Sequence, residues 1–130
     1  MRLAGLYTLE RGAHSFWLKS GKEIQGREDG IINLLHYDDA AGACLAAIKV
    51  GPSVTAKKIF LVSDGHPTTR RGIVDSALKS TSYAGMVLPT FSKGGGEGGA
   101  MGKIYDGSST NRALKWMPRY SSFDDFMSKQ

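Results

Sequence analysis

The residue types that could perform chemistry fall into a few short stretches. Ser63-Asp64-Gly65-His66 brings the three residue types of a hydrolytic triad within four positions. A triad needs a nucleophile on a strained elbow and a base delivered from elsewhere in the fold, and a four-residue turn supplies neither. The stretch reads as a turn closing a strand. Gly94-x-Gly96-x-x-Gly99 matches the dinucleotide fingerprint as a pattern. That fingerprint requires a strand to deliver the chain into a tight turn and a helix to open after it. Here Phe91-Ser-Lys precedes the glycines and no helix-forming run follows, so residues 92–102 read as a glycine-rich surface loop.

Other residues are more suggestive. Asn33 alternates with Ile32 and Leu34 and so faces away from its apolar neighbours if the segment is a strand. His36 then stands at the strand's carboxyl end, where open α/β sheets hold their ligands, although it could equally hydrogen-bond an aspartate or a carbonyl and only fix the turn. Arg11 is either a solvated charge or an anion clamp for a phosphate or carboxylate. Asp38 and Asp39 are adjacent and point apart, which suits helix capping better than a carboxylate pair. Metal chemistry finds little support: His14, His36 and His66 stand 22 and 30 residues apart, and Cys44 is the one cysteine.

The elements that would position these groups follow from pattern. Arg2–Tyr7 suits a buried strand that begins almost at the first residue, an odd start for an autonomous domain. Gly12–Ser20 reads as a short helix stopped by Gly21, and Ile31–Leu35 as a second strand. An aspartate before the alanine-rich run 40–49 predicts a helix whose inward stripe is Ala41, Leu45 and Ile48, with Cys44 as a small core residue on it. Gly51-Pro52 ends that helix. Lys58–Val62 is the most strand-like run, and Thr68 or Thr69 caps a helix reaching about Lys79. Helices near Ser109–Lys115 and after Ser121 or Ser122 complete the chain, the last with Phe123 and Phe126 on one face. Trp17 and Trp116 read as packing residues. Three or four short strands interspersed with helices make an α/β chain, an incomplete Rossmann-type arrangement with a Gly-rich loop at 92–102.

Length and composition bound the remainder. One hundred and thirty residues, 41% hydrophobic and 22% charged, suit a single unit spanning 1–130. The net charge of +5 is spread along the chain without an aromatic-interleaved basic patch, which argues against nucleic acid. No apolar run reaches the roughly 18 residues that cross a bilayer, so no membrane association and a soluble, cytoplasmic or organellar protein are expected.

Four motifs in order then resemble a known family. Arg2-x-x-Gly5-x-Tyr7-x-x-x-Arg11, Asn33-Leu-Leu-His36-Tyr-Asp-Asp39, Ile59-Phe-Leu-Val-Ser-Asp64-Gly65-x-Pro67 and Ala113-Leu-Lys-Trp116-x-Pro118 resemble the C-terminal half of extended short-chain dehydrogenases/reductases, specifically the NAD(P)-dependent epimerase/dehydratase-like members. The resemblance implies a substrate-binding role for Tyr7, Arg11, Asn33 and His36, and a helix-capping role for Asp39. It implies NAD or NADP in the full-length family, a small hydroxylated or sugar-like metabolite as ligand, and no catalytic residue in this chain. Thr8 and Leu9 replace the family's Gly-Pro, and Lys115 stands where the family's Leu-Gly-Trp has glycine.

The family's nucleotide-binding signature, Gly-x-x-Gly-x-x-Gly after the first strand, is missing, and so is its Tyr-x-x-x-Lys pair. Position i+4 of each tyrosine holds Arg11, Ala41, Val87, Ser109 or Asp124, never lysine. An unassisted phenol, pKa about 10, is a poor base at neutral pH. The expectation is therefore a substrate-binding C-terminal part whose N-terminal nucleotide-binding part is absent, binding no cofactor and transferring no hydride alone, and partnered by a missing Rossmann half or another protein chain. The alternative is a non-enzymatic ligand- or protein-binding module derived from that family.

Overall fold

The computed structural model describes residues 1–92 and 101–130. Most of the glycine-rich stretch, with Gly94, Gly96 and Gly99, lies outside the described residues. The first extended segment divides at Ala4 into β1 (Arg2–Leu3) and β2 (Gly5–Tyr7), because consecutive amides are claimed from opposite sides. The Ala4 N–H donates to the Val62 carbonyl, whereas the Gly5 N–H donates to that of Asn33. β1 thereby pairs in parallel with β5 (Leu61–Val62), and β2 in parallel with β4 (Leu34–His36).

β4 is the wedge of the structure. Its Leu34 carbonyl accepts from the Asp64 N–H on the side away from β2. The chain entering β4 thus spreads the carboxyl end of the first strand from the residues that follow β5. The expected strand 31–35 is split at Asn33 for the same reason. Its first part, β3 (Ile31–Ile32), pairs antiparallel with β6 (Thr68–Thr69).

Strand alternation distributes side chains to two cores. Leu35, Ala4 and Val62 face α2 (Tyr37–Val50) through Ala40 and Ala43, with Trp116 packed against them. Leu34 and Tyr7 face the other way, into a cluster with Leu18 of α1 (Ala13–Ser20), Ile73, Val74 and Ala77 of α4 (Arg70–Leu78), and Phe123, Phe126 and Met127 of α6 (Phe123–Met127). Helices on both faces of short parallel pairs make this an α/β, partial Rossmann-type arrangement. The stops and caps follow local chemistry. Gly21 ends α1 in the left-handed conformation that favours glycine, and the Thr69 and Ser122 hydroxyls accept amides at the starts of α4 and α6. The short α3 (Pro52–Thr55) follows α2, and α5 (Ser108–Leu114) precedes Trp116. Trp17 and Trp116 pack as expected, each against one of the two clusters.

The long helix departs from expectation in three ways. Its N-cap is His36, whose Nδ1 accepts the Asp38 N–H; Asp39 is not the cap. Asp39 is inside the first turn, 3% exposed, and its carboxylate accepts the main-chain N–H groups of Arg119 at 2.6 Å and Tyr120 at 3.1 Å. The supposed inward stripe faces out, with Leu45 58% and Ile48 75% exposed. Cys44 is exposed too, not a core residue. An alanine-rich helix has little hydrophobic contrast around its circumference, so the small residues Ala40 and Ala43 win the contact because they let the helix approach the sheet closely.

Asp39→Ala should cost about 2–3 kcal/mol, because two main-chain N–H groups lose the buried charged acceptor they share. A bare capping residue would cost about 1 kcal/mol. Urea unfolding beside the exposed-site control Asp38→Ala separates the two, and a cost no larger than the control's would refute the clamp.

Candidate functional site

The four residues singled out from sequence come together around the β2–β4 pair, where Tyr7 lies in register with His36. Both rings occupy one face of the pair and meet edge to face, centroids 5.2 Å apart. Phe123 and Phe126 pack on Tyr7 at 4.9 and 5.5 Å, and Tyr120 covers His36 at 4.3 Å. This places Tyr7 and His36 in the interior. Burial lowers the pKa of His36 despite Asp38 and Asp39 nearby, and its Nδ1 lone pair is used by the Asp38 amide, so the imidazole is neutral at physiological pH.

Asn33 is also buried, and both ends of its amide are engaged. Nδ2 donates to the Lys103 carbonyl at 2.6 Å, while Oδ1 accepts the Tyr105 N–H at 2.9 Å. One side chain thus does for residues 103–105 what a neighbouring strand would do.

Arg11 alone of the four is exposed. The turn carrying it is closed twice, by Thr8 N–H donating to the Arg11 carbonyl and by Arg11 N–H donating to Thr8 Oγ1. Thr8 therefore supplies a closure of its own at the first of the two positions where the family has Gly-Pro. The neighbouring Leu9 carbonyl receives two buried donors, Tyr83 Oη at 2.8 Å and His14 Nε2 at 2.9 Å. A carbonyl only accepts, so His14 carries its proton on Nε2, and burial lowers its pKa. From this anchored turn the Arg11 guanidinium extends over the Tyr37 ring, 5.8 Å from its centroid, at the first turn of α2.

Sequence reasoning passed over Asp64. It is buried at the wedge, its N–H given to the Leu34 carbonyl and its Oδ1 accepting from His66 N–H. Its Oδ2, the neighbouring Ser63 Oγ and the Tyr7 hydroxyl have no hydrogen-bond partner among the described residues. Desolvation pushes the Asp64 carboxyl up to about 6. Burial, and then the charge of Asp64, raise the Tyr7 phenol far above its ordinary value. Tyr7 is held as a neutral phenol and cannot act as a base near neutrality. The signal for Asp64 was present: a carboxylate two residues past an apolar β-branched run lies at a strand's carboxyl end.

The opening of α2 is not a dinucleotide cradle. Helix α2 opens directly from the parallel strand β4, and its first turn carries Asp38 and Asp39 with no glycine, so it presents negative charge where a pyrophosphate would sit. Among the described residues no group of three or more His, Cys, Asp or Glu side chains could hold a metal, and no helix is long and apolar enough to cross a membrane.

No protein-family model and no curated protein sequence matches the chain. Solved structures do. UDP-glucose 4-epimerase from Thermotoga maritima with UDP-glucose superposes with a TM-score of 0.66 at 20% identity, covering 98% of this chain and 42% of the epimerase. The Bordetella bronchiseptica enzyme WbmG in complex with NAD gives 0.66 at 19%, covering 98% and 40%. UDP-N-acetylglucosamine 4-epimerase from Bacillus cereus gives 0.67 at 14%, covering 98% and 43%. The chain therefore has the fold of one part of these enzymes and spans about two-fifths of their length.

Asp64 sets a pH dependence with a definite sign. Its folded pKa of about 6 lies above the free value of 3.8. Its contribution to stability is therefore fully present below pH 3.8 and is lost as pH rises through about 6. Asp64→Asn should gain on the wild type between pH 4 and 7.5 by roughly 2–3 kcal/mol, at about 1.36 kcal/mol per unit. His14 and His36, lowered by burial, act oppositely as pH falls, but equally in both proteins, so the difference isolates Asp64. Urea unfolding at three pH values measures it, and a pH-independent difference would contradict the assignment.

Proposed function

We propose that this chain is the substrate-binding, C-terminal part of an NAD(P)-dependent epimerase/dehydratase-like oxidoreductase. The nucleotide-binding half and its proton-transferring pair would come from further residues of a longer polypeptide or from a separate chain. The observation that carries the reading is the fold match over 98% of the chain to about two-fifths of a sugar-nucleotide epimerase. The geometry around Tyr7 supports the division of labour. A phenol sealed among aromatic rings, with arginine rather than lysine four residues on, moves no proton for a substrate.

In this reading the four residues have two roles. Arg11 touches the ligand: an exposed guanidinium on a doubly closed turn, stacked on Tyr37, presents a fixed fork to a phosphate or carboxylate of a sugar-like metabolite. Tyr7, Asn33 and His36 position it from within. Tyr7 and His36 lock β2 to β4 beneath the turn, and Asn33 holds residues 103–105 alongside. Hydride chemistry belongs to the nicotinamide of the complete enzyme, and no step of it falls on this chain.

The inward-turned polar groups of Tyr7, Asn33 and His36 also favour a second reading, a non-enzymatic module that binds a ligand or protein through its surface alone. Titration with UDP-glucose and UDP, followed by amide and guanidinium NMR signals, tests the first reading. Both ligands should shift residues 8–12 and the Arg11 Nε–H. Arg11→Ala should weaken binding about tenfold or more, as loss of a charge-assisted bidentate contact does, while leaving the unfolding midpoint unchanged. Absence of binding, or binding indifferent to Arg11, would favour the module.

The purified chain with NAD+ or NADP+ and UDP-glucose should show neither a rise in absorbance at the reduced-nicotinamide band nor formation of an epimer of the sugar. Turnover above buffer would overturn the division of labour.

A further inference from the structure

A second concavity is separate from the Arg11 turn and from the Tyr7–His36 contact. It lies between α2, α3 and the end of α5, with a volume of about 620 Å³, and is walled by Leu45, Ala46, Val50, Val54 and Trp116. That size falls within the range of small-molecule sites, and apolar walls with a few polar groups are their usual lining. Leu45 is more than half exposed here although a packed stripe was expected of it. Gly42 brings Trp116 close, since a Cβ at this position would meet the indole Nε1 at 3.0 Å.

Charge at the groove has one sign. Lys49 and Lys115 line it, no carboxylate does, and neither lysine forms an ion pair among the described residues. Both occupy helix C-terminal ends, whose partial negative charge steadies an ammonium without neutralising it. Lys115 does so at a conformational cost. It sits at φ 50°, ψ 45°, the left-handed conformation that ordinarily selects glycine at a helix end. A strained cation placed beside an apolar wall is an outlier from which a function can be inferred.

We propose that this groove binds a small amphipathic carboxylate. Its aliphatic or aromatic body lies against Trp116 and Leu45, and its carboxylate lies between Lys49 and Lys115. The groove follows α2 only from Gly42 to Val50, about two turns, and is closed by the four-residue α3 and the last residues of α5, which is short for a partner helix and favours a small molecule over an amphipathic segment. The proposal is independent of substrate binding at Arg11.

Decanoate, kept below its micellar concentration, is the probe, with decylamine and decanol as controls. The chain has two tryptophans, so its NMR spectrum has two indole N–H signals, distinguished by Trp17→Phe. Decanoate should move the Trp116 signal and leave that of Trp17 in place, and decylamine should move neither signal. Lys115→Gly removes the ammonium and relieves the backbone, so it should match or exceed wild-type stability in urea while binding decanoate about fivefold more weakly, as does Lys49→Ala. Four results would each overturn the proposal: no shift at millimolar decanoate; equal binding of decanol or decylamine; unchanged affinity in both lysine variants; or capture of an acidic amphipathic peptide without decanoate binding.

Discussion

The structure depends on a three-residue strand lying between two others that would otherwise run side by side. The chain at the start of β4 takes the Gly5 amide from one side through the Asn33 carbonyl, just before the strand, and the Asp64 amide from the other through the Leu34 carbonyl. Backbone groups have two hydrogen-bonding directions, and here consecutive carbonyls use them for different neighbours. The carboxyl ends of β2 and β5 are spread as a result, and His36 and the first turn of α2 occupy the space between them. Tyr7, His36, Asp39 and Asp64 gather there because three chain segments converge on one point.

Convergence decides how much of the molecule can be read from its residues in order. Local signals held where the deciding chemistry was local: Gly21, Thr69 and Ser122 stop or start helices by backbone preference and a hydroxyl–amide bond within three residues. Motif order pointed to a partial Rossmann-type arrangement, and the superpositions show that fold. Long-range partners were not readable. Nothing in the neighbourhood of Asp39 indicates that its carboxylate receives amides eighty residues away. For α2, the composition misled: alanine on every face gives a periodicity argument no contrast, and the larger Leu45 and Ile48 drew the stripe to the wrong side.

The candidate site was partly readable for the same reason. The resemblance in motif order brought Tyr7, Asn33, His36 and Arg11 into one neighbourhood. It could not tell which of them faces solvent, because that is fixed by residues from α1, α4, α6 and the segment after α5. Three of the four build the scaffold and one reaches outward. Asp64, dismissed as part of a turn, has the most perturbed environment of any carboxylate among the described residues, since a strand's end buried from water leaves its terminal carboxyl little solvent. Short motifs with catalytic residue types thus misdirect in both directions here: the apparent triad is a turn, and one of its members is the carboxylate that burial perturbs most.

Asn33 has a chemical consequence over the lifetime of the molecule. Its side chain must donate at one atom and accept at the other within the same plane, which an amide does and a carboxylate of identical shape does not. Deamidation to aspartate would preserve side-chain shape and the contact to Tyr105, yet set a carboxyl oxygen in place of the donor against the Lys103 carbonyl. An ageing reaction that adds about one mass unit would therefore cost this stretch of chain one of its ties to the sheet, through the change of a single nitrogen atom.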